Sequence, residues 1–243
     1  MKLNILSWHD MNRERPVSAV PRPVVFLFAI ALLLQILWHT QQAKPVARAT
    51  ELSTAPSLAL LKVFSLGDPV SLSRLLMLRI QSFDNQPGIS IPFSKLDYKK
   101  VVSWLRLISR LDQNSQYPYL IAARVYAQVK DPDKKRIMLN FVHDGFLQNP
   151  DLQWPAMVHA VFIAKHRLED LELALKYAKD IRLHVNRDDI PSWVRQMELF
   201  VLEEMGDLES ARVLLGGFLE SGLIENEREF RFLQDRLGAA NSN

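Results

Sequence analysis

The amino-acid sequence predicts an all-α protein in which one apolar helix near the N-terminus precedes a domain of tandem helix hairpins. Two observations support this fold class. A pattern of similar residues recurs with an offset of 37 between residues 116 and 211, and a long apolar run lies between Val24 and Trp38. Only 8 of 243 residues are glycine, and the sequence has no run of the dipeptides that form tight turns. The hairpins of a β protein are therefore not expected.

The charge distribution argues against nucleic-acid binding by the domain. Residues 1–57 carry six basic and three acidic side chains, so residues 58–243 carry 24 of each sign (30 minus 6 and 27 minus 3). A neutral domain lacks the long-range attraction to phosphates on which such binding mainly depends. Cysteine is absent, which excludes disulfides, thiolate metal ligands and cysteine nucleophiles.

The apolar run, which only Gln35 interrupts, predicts a transmembrane helix that acts as a signal anchor over residues 23–39. The segment from Pro23 to Trp38 would be roughly 24 Å long as a helix, against a hydrocarbon core of about 30 Å. Two other interpretations remain open: a cleaved signal peptide and a buried core helix. The best small-residue cleavage pair, Ala47 and Ala49, lies far beyond the run, which favours retention.

Basic residues are more numerous before the apolar run than just after it, four against two, which favours a cytoplasmic N-terminus. Residues 1–22 are therefore expected to be a cytoplasmic tail, and residues 40–57, rich in Pro, Ala, Thr and Ser, a linker. The expected location is the inner (plasma) membrane. The protein would cross it once, with the repeat domain in the periplasm or outside the cell.

The repeat is clearest where Gln116–Ala127 aligns with Gln153–Ala164, because glutamine, an aromatic residue, proline and two alanines coincide. A weaker third copy begins at Ile190. Asp133, Asp170 and Asp207 recur at the same offset, and each is expected to cap an amphipathic second helix. The predicted second helices are Lys134–Phe146, Leu171–Leu183 and Leu208–Leu219.

The hairpins need small residues where neighbouring helices approach closely. The predicted close contacts are Ala123, Ala160, Ala174 and Ala211. One inward column is expected to read Ile137, Ala174 and Ala211, and the next Phe141, Ala178 and Leu215.

Further helices are predicted on both sides of these repeats. Residues 58–115 are expected to form N-terminal helices of the repeat domain, one over about Pro69–Phe83 and one that follows Asp97. Residues 116–240 hold the repeats, and a helix over Glu225–Leu237 is expected to cap them with Phe230, Leu233 and Leu237 on one stripe.

The segment Glu203–Ala211 carries a resemblance to the tetratricopeptide-repeat (TPR) family. Gly206 matches the turn glycine between the family's two helices, and Ala211 matches the small residue of its second helix. The offset of 37 is longer than the family's period of about 34. Asp131 and Arg167 stand near positions where turn glycines would be expected. The resemblance covers about residues 116–222 and implies a right-handed α-solenoid.

The resemblance also implies that the first helices line a concave groove that binds a protein or peptide. Carried over by position, the groove candidates are Tyr117, Arg124, Gln128, Trp154, Lys165, Trp193 and Gln196. Aromatic and arginine side chains are typical of binding hot spots. A structural interpretation stands beside this one, since Trp154 and Trp193 are predicted at helix starts and would there staple neighbouring hairpins together.

No motif for catalysis, a cofactor or a metal is found in the sequence, so no catalytic, cofactor-binding or metal-binding residue is assigned. His159 and His166 are two helical turns apart, about 10 Å along the axis, which is too far for one tetrahedral metal. Two charge clusters, Lys130–Arg136 and Glu198–Glu209, are typical of solvated helix faces. Alternatively, they would give the domain ends of opposite sign.

These features favour a membrane-anchored protein–protein interaction scaffold or adaptor without enzymatic activity. Neither a nucleic acid nor a small-molecule substrate is expected as a partner. One alternative is a soluble secreted or periplasmic binding protein, released by signal cleavage. Another is an accessory domain of an envelope hydrolase or transglycosylase. The only faint catalytic candidates for such a domain are paired acids such as Glu203 and Glu204, which are poorly placed because adjacent helical side chains diverge by about 100°.

Overall fold

A computed structural model describes residues 20–42, 49–224 and 226–239. Over these residues it contains twelve α-helices, and the chain is 73% helical and 2% strand, which confirms the all-α class. The chain divides into two compact units, Met1–Ala47 and Arg48–Asn243. The predicted cytoplasmic tail lies outside the described residues up to residue 19, as do residues 43–48 of the predicted linker.

The first unit contains one helix, α1 (Arg22–Gln41). Proline at its start is tolerated because the first amide groups of a helix need no intrahelical partner. The 20 residues span about 30 Å, so α1 is long and apolar enough to cross a membrane. Every residue of α1 is described and none is buried, which disagrees with the core-helix interpretation.

The second unit begins with an extended segment rather than with a free linker. Leu52 is buried in the core, and the Ser53 carbonyl accepts a hydrogen bond from Trp104 Nε1 at 2.8 Å. The Thr50 amide donates to Gln86 Oε1, also at 2.8 Å. The prediction of a linker was therefore wrong for residues 49–57, because these side chains and carbonyls pack against the domain.

The segments that follow include two short strands that the sequence did not predict. They form an antiparallel pair with Asn85 opposite Ser90, and Gly88 adopts a positive φ of 77° in the turn between them. A 3₁₀ turn over Phe93–Lys95 then leads to the next helix. The elements are α2 (Leu58–Phe64), α3 (Pro69–Gln81), β1 (Asn85–Gln86), β2 (Ile89–Ser90) and α4 (Tyr98–Leu111).

The rest of the unit consists of helices. A 3₁₀ turn over Tyr126–Gln128 follows the first of them. The last helix begins two residues after the predicted start, Glu225, which lies outside the described residues. The helices are α5 (Tyr117–Arg124), α6 (Pro132–Gln148), α7 (Pro150–Arg167), α8 (Leu171–His184), α9 (Ser192–Arg195), α10 (Met197–Glu204), α11 (Leu208–Glu220) and α12 (Glu227–Ala239).

We call α3, α5, α7 and α10 the first helices, count the short α9 directly before α10 with them, and call α4, α6, α8 and α11 the second helices. In the chain order, α3 packs against α4, α5 against α6, α7 against α8, and α10 against α11. Between hairpins, α5 packs against α7, α4 against α6, and α8 against α10. Finally α12 packs on α11, and its Leu233 and Leu237 are buried while Phe230 is half-buried, as the predicted stripe requires.

Aspartate caps open the second helices. Asp170 Oδ1 accepts the Leu173 amide at 2.9 Å and Asp207 Oδ1 accepts the Ser210 amide at 3.1 Å, which confirms two predicted caps. The third prediction, Asp133, was wrong. Asp131 caps α6 instead, because Pro132 already begins the helix and the Asp131 carboxylate accepts the amides of residues 133 and 134.

The turns inside two hairpins share an unusual backbone conformation. Glu169 has a positive φ of 54° and Gly206 one of 77°, and these residues stand 37 positions apart. Left-handed backbone is unfavourable for residues with a side chain, so the same turn is built with strain at Glu169 and without it at Gly206. The turn glycine was therefore correctly placed at Gly206.

Small residues lie where the helices meet. The four predicted close contacts, Ala123, Ala160, Ala174 and Ala211, are completely buried, as is Ala178. Ile137 packs against the core as predicted but is only half-buried, whereas the neighbouring Met138 is completely buried. The prediction that Trp154 stands at a helix start was wrong, since α7 begins at Pro150 after the Asn149 cap.

Polar contacts between neighbouring hairpins repeat the sequence offset. Gln116 Nε2 donates to the Leu152 carbonyl at 2.7 Å, and Gln153 Nε2 donates to the Ser115 carbonyl at 3.2 Å, so the two aligned glutamines form a reciprocal pair. Similar offsets separate His143 from Asp180 (37), Arg106 from Asp144 (38), and Ser192 from Glu229 (37). Equivalent positions of successive hairpins therefore lie next to one another.

Candidate functional site

The first helices carry exposed apolar, aromatic and basic side chains. Hydrogen bonds connect the neighbouring helices: Gln81 on α3 donates to the Tyr117 hydroxyl of α5 at 2.8 Å, and the reciprocal glutamine pair joins α5 to α7. We call this set the first-helix surface and define it by its exposed members Leu75, Leu78, Tyr117, Arg124, Phe162 and Trp193.

Three of the seven predicted groove residues lie on one hairpin and are accessible. Tyr117 and Arg124 are exposed on α5, and Gln128 is exposed in the 3₁₀ turn that follows. Tyr117 keeps its ring in solvent while its hydroxyl is held by Gln81. An aromatic ring fixed in this way loses little conformational entropy when a partner binds.

Two predicted groove residues are occupied within the chain. The Lys165 ammonium forms an ion pair with Glu204 of α10, which neutralises its charge. Gln196 is only 4% exposed, and its Nε2 donates to Glu229 Oε1 on α12 at 2.7 Å. The assignment of Gln196 to an accessible groove was therefore wrong, because the side chain joins two helices of the domain.

The two predicted tryptophans have different surroundings. Trp154 is half-buried against the large core cluster, in the second turn of α7 rather than at its start. It therefore fits the structural interpretation. Trp193 is 48% exposed on α9, close to the helix start as predicted. Burial this incomplete favours Trp193 as a residue available to a partner.

Sequence reasoning missed Phe162, which is 52% exposed on α7 and lies 4.7 Å from the His166 ring, centroid to centroid. It stands between the buried Val161 and Ile163, so hydropathy alone gave no signal. The helical period does, because Phe162 projects roughly 180° from the face that carries the buried Gln153 and Ala160. Leu75 and Leu78 of α3 were also missed, and both are exposed.

His159 on α7 lies close enough to Arg124 on α5 for the guanidinium to affect its pKa. Burial lowers the pKa of His159, and the nearby Arg124 guanidinium lowers it further. The imidazole is therefore neutral at neutral pH, and Arg124 supplies the positive charge at this part of the first-helix surface. A carboxylate is the complementary group for an exposed guanidinium.

A second group of exposed apolar side chains lies on α2 and in the turn after it, at Leu60, Val63, Phe64 and Leu66. Contiguous exposed apolar residues are typical of surfaces that contact another molecule. Leu66 also adopts a positive φ of 49°, a conformation that leucine rarely takes.

Most side chains of the two predicted charge clusters form ion pairs or hydrogen bonds within the domain. Lys135 Nζ donates to the Arg167 carbonyl at 2.7 Å, and Arg136 pairs with Asp170 at 2.8 Å. In the acidic cluster, Glu198 pairs with Arg182 at 2.6 Å. These contacts disagree with free ends of opposite charge and show that the clusters hold neighbouring helices together.

The residues considered for chemistry are also engaged in structure. Glu203 pairs with Arg236 of α12 at 2.6 Å, whereas Glu204 pairs with Lys165 of α7, so the two carboxylates face different helices. Within the described ranges, His, Cys, Asp and Glu form no group of three that could hold a metal ion.

Comparison with known proteins gives no family assignment: no family model, curated protein or solved structure matches the chain.

Proposed function

We propose that the protein is a membrane-anchored interaction module whose repeat domain binds a protein or peptide on the first-helix surface. The domain is proposed to be a TPR-like right-handed solenoid. Three regularities support this architecture: the contacts between hairpins at offsets of 36 to 38, the shared left-handed turn at Glu169 and Gly206, and the packing of α5 on α7.

The observation that carries the proposal is the exposure of Tyr117, Phe162 and Trp193 on first helices. Exposing large aromatic rings to water costs free energy that a partner recovers on binding. Arg124 supplies an exposed cation on α5, the helix that also carries Tyr117. The complementary partner is a peptide segment or helix that carries apolar side chains and a carboxylate.

Membrane anchoring is proposed through α1, with the N-terminus in the cytoplasm and the repeat domain in the periplasm or outside the cell. The excess of basic residues before α1 supports this orientation. Carbonate extraction of membranes and N-terminal sequencing of the mature protein test the anchor. An intact N-terminus in the membrane pellet is expected. A protein that begins beyond residue 42 in the soluble fraction would instead identify a cleaved signal.

Capture from solubilised membranes tests the binding surface. Phe162→Glu places a charge on the first-helix surface, and Val213→Glu places the same charge on α11, where Val213 is 73% exposed. A protein that co-purifies with the wild type and with Val213→Glu is expected to be lost with Phe162→Glu. Equal recovery with both variants, or no protein above background, would contradict the proposal.

A further inference from the structure

Helix α2 carries apolar side chains on its outer side as well as its inner side. Leu61 is buried and packs against α4, which fixes the inner side of the helix. Leu60, Val63 and Phe64 are 48%, 74% and 64% exposed. Residues spaced i, i+3 and i+4 share one face of a helix, so these three side chains form one apolar face in contact with solvent.

The turn after α2 extends this apolar surface. Leu66 is 94% exposed, and its φ of 49° is unfavourable for a residue with a bulky side chain. A leucine in this position adds nothing to the core of the domain. We call Leu60, Val63, Phe64 and Leu66 the α2 patch. None of them belongs to a first helix, so the α2 patch is separate from the first-helix surface.

The chain between α1 and α2 is short. Thr50 is held in the domain by its hydrogen bond to Gln86, and it follows Gln42, the cap of α1, by eight residues (50 minus 42). Eight residues reach at most about 28 Å when fully extended. A further eight residues (58 minus 50) lead to Leu58, where α2 begins. A short tether gives the second contact a high effective concentration, so a small patch suffices to contact the membrane in which α1 is anchored.

The segment that contains the α2 patch is basic. Residues 58–82 carry three basic side chains and one acid, which gives a net charge of +2 (3 minus 1). The basic residues are Lys62, Arg74 and Arg79, and all three are exposed. The acid, Asp68, is engaged as the cap of α3. Basic residues near exposed apolar side chains are typical of segments that lie in the membrane interface, where anionic headgroups attract them.

We propose that the α2 patch inserts into the interface of the membrane that α1 spans and so holds this part of the repeat domain on an anionic lipid surface. The inference rests on the proposed membrane anchor. The apolar side chains enter the headgroup region, and Lys62 and Arg74 contact the lipid phosphates. The contact is independent of the first-helix surface, so Phe162→Glu leaves it unchanged.

Site-specific fluorescence tests the insertion, because a chain without cysteine can be labelled at one introduced cysteine. Val63→Cys and Val213→Cys make the same change on α2 and on α11, at positions that are 74% and 73% exposed. Each full chain is labelled with an environment-sensitive fluorophore and placed, one copy per disc, in nanodiscs of phosphatidylcholine and phosphatidylglycerol. Lipids with a spin label near the headgroup quench a fluorophore that enters the interface.

Quenching by the spin-labelled lipid is expected to be at least about twofold stronger at position 63 than at position 213, and to decrease in high salt and in phosphatidylcholine alone. Equal quenching at both positions, in chains that co-elute with the nanodiscs, would overturn the inference and leave the anchor intact. A chain that does not co-elute would overturn both. A blue-shifted label at position 63 without lipid quenching would show that protein covers the patch, which also overturns the inference.

A matched pair of substitutions tests the patch itself. Phe64→Glu places a charge in the α2 patch, and Phe232→Glu makes the same change on α12, where Phe232 is 58% exposed. Phe64→Glu is expected to reduce the lipid quenching at position 63 at least about twofold, because a charge is costly to bury among apolar groups. Phe232→Glu should leave the quenching unchanged. Equal quenching in the two variants would refute insertion of the patch.

Discussion

Replacement of Ala174 by leucine tests the close approach of helices on which the repeat domain depends. Ala174 is completely buried on α8, which packs against both α7 and α10. Leucine adds three carbon atoms where the structure leaves no access to solvent. The neighbouring helices must then separate or the side chain must leave its preferred rotamer, because protein interiors are close-packed.

The expected cost follows from the burial. Overpacking a well-packed core costs about 1–3 kcal/mol. For a domain of this size, each kcal/mol corresponds to about 2–4 °C in the midpoint of thermal unfolding, so a decrease of about 2–12 °C is expected. The assay is thermal unfolding of the full chain in detergent, followed by helical circular dichroism and by tryptophan fluorescence.

The matched control is Ala59→Leu, which adds the same atoms on the exposed side of α2. Its effect is expected to stay within about 0.5 kcal/mol of the wild type. If Ala174→Leu unfolds at the same temperature as Ala59→Leu, the helices do not meet at Ala174 and the reasoning is refuted.

Three further substitutions test a turn, a close contact and a helix cap of the domain. Gly206→Ala should destabilise the domain by about 0.5–1 kcal/mol in urea unfolding. Alanine pays about 1–2 kcal/mol for the left-handed backbone at this position, which exceeds the gain from a stiffer unfolded chain. A stabilised variant would contradict this expectation. Gly145→Ala should displace Tyr119, whose ring lies directly against the Gly145 backbone, and weaken the near-ultraviolet dichroism, whereas an unchanged spectrum would argue against the contact. Hydrogen bonds from the Leu173 amide and from Arg136 lower the pKa of Asp170 from its ordinary value of 3.8. The resulting stability is present above that value and is lost as the pH falls through the lowered pKa, so Asp170→Asn should show a shallower loss of stability in acid, and equal slopes would be inconsistent.

The repeat could be predicted from sequence because local chemistry and packing agree at the same positions. Asp170 and Asp207 each stand directly before an apolar run and cap the helix that follows. The alanines lie where neighbouring helices approach closely and only a small side chain fits. The prediction failed at Asp133 because Pro132 had already started the helix, two residues earlier than the repeat implied. Alignment with another repeat shows which positions are equivalent. It does not show a local feature, such as Pro132, that moves the start of the helix.

The sites were predicted less well, because exposure and pairing depend on residues distant in sequence. Gln196 donates a hydrogen bond to Glu229 of α12, and Lys165 is neutralised by Glu204 of α10. A repeat alignment indicates neither partner. The α2 patch was missed as well, because its helical spacing is also that of a core-facing helix. Only the fold shows that these side chains are exposed while Leu61 is buried.

Site-specific photocrosslinking in intact membranes tests the proposed binding surface most directly. A photoreactive residue replaces Phe162 on α7 in one variant and Val213 on α11 in another, and both positions are exposed. The account predicts a crosslinked adduct of defined mass at position 162 and none at position 213. Adducts at both positions in equal yield, or at position 213 alone, would contradict binding on the first helices.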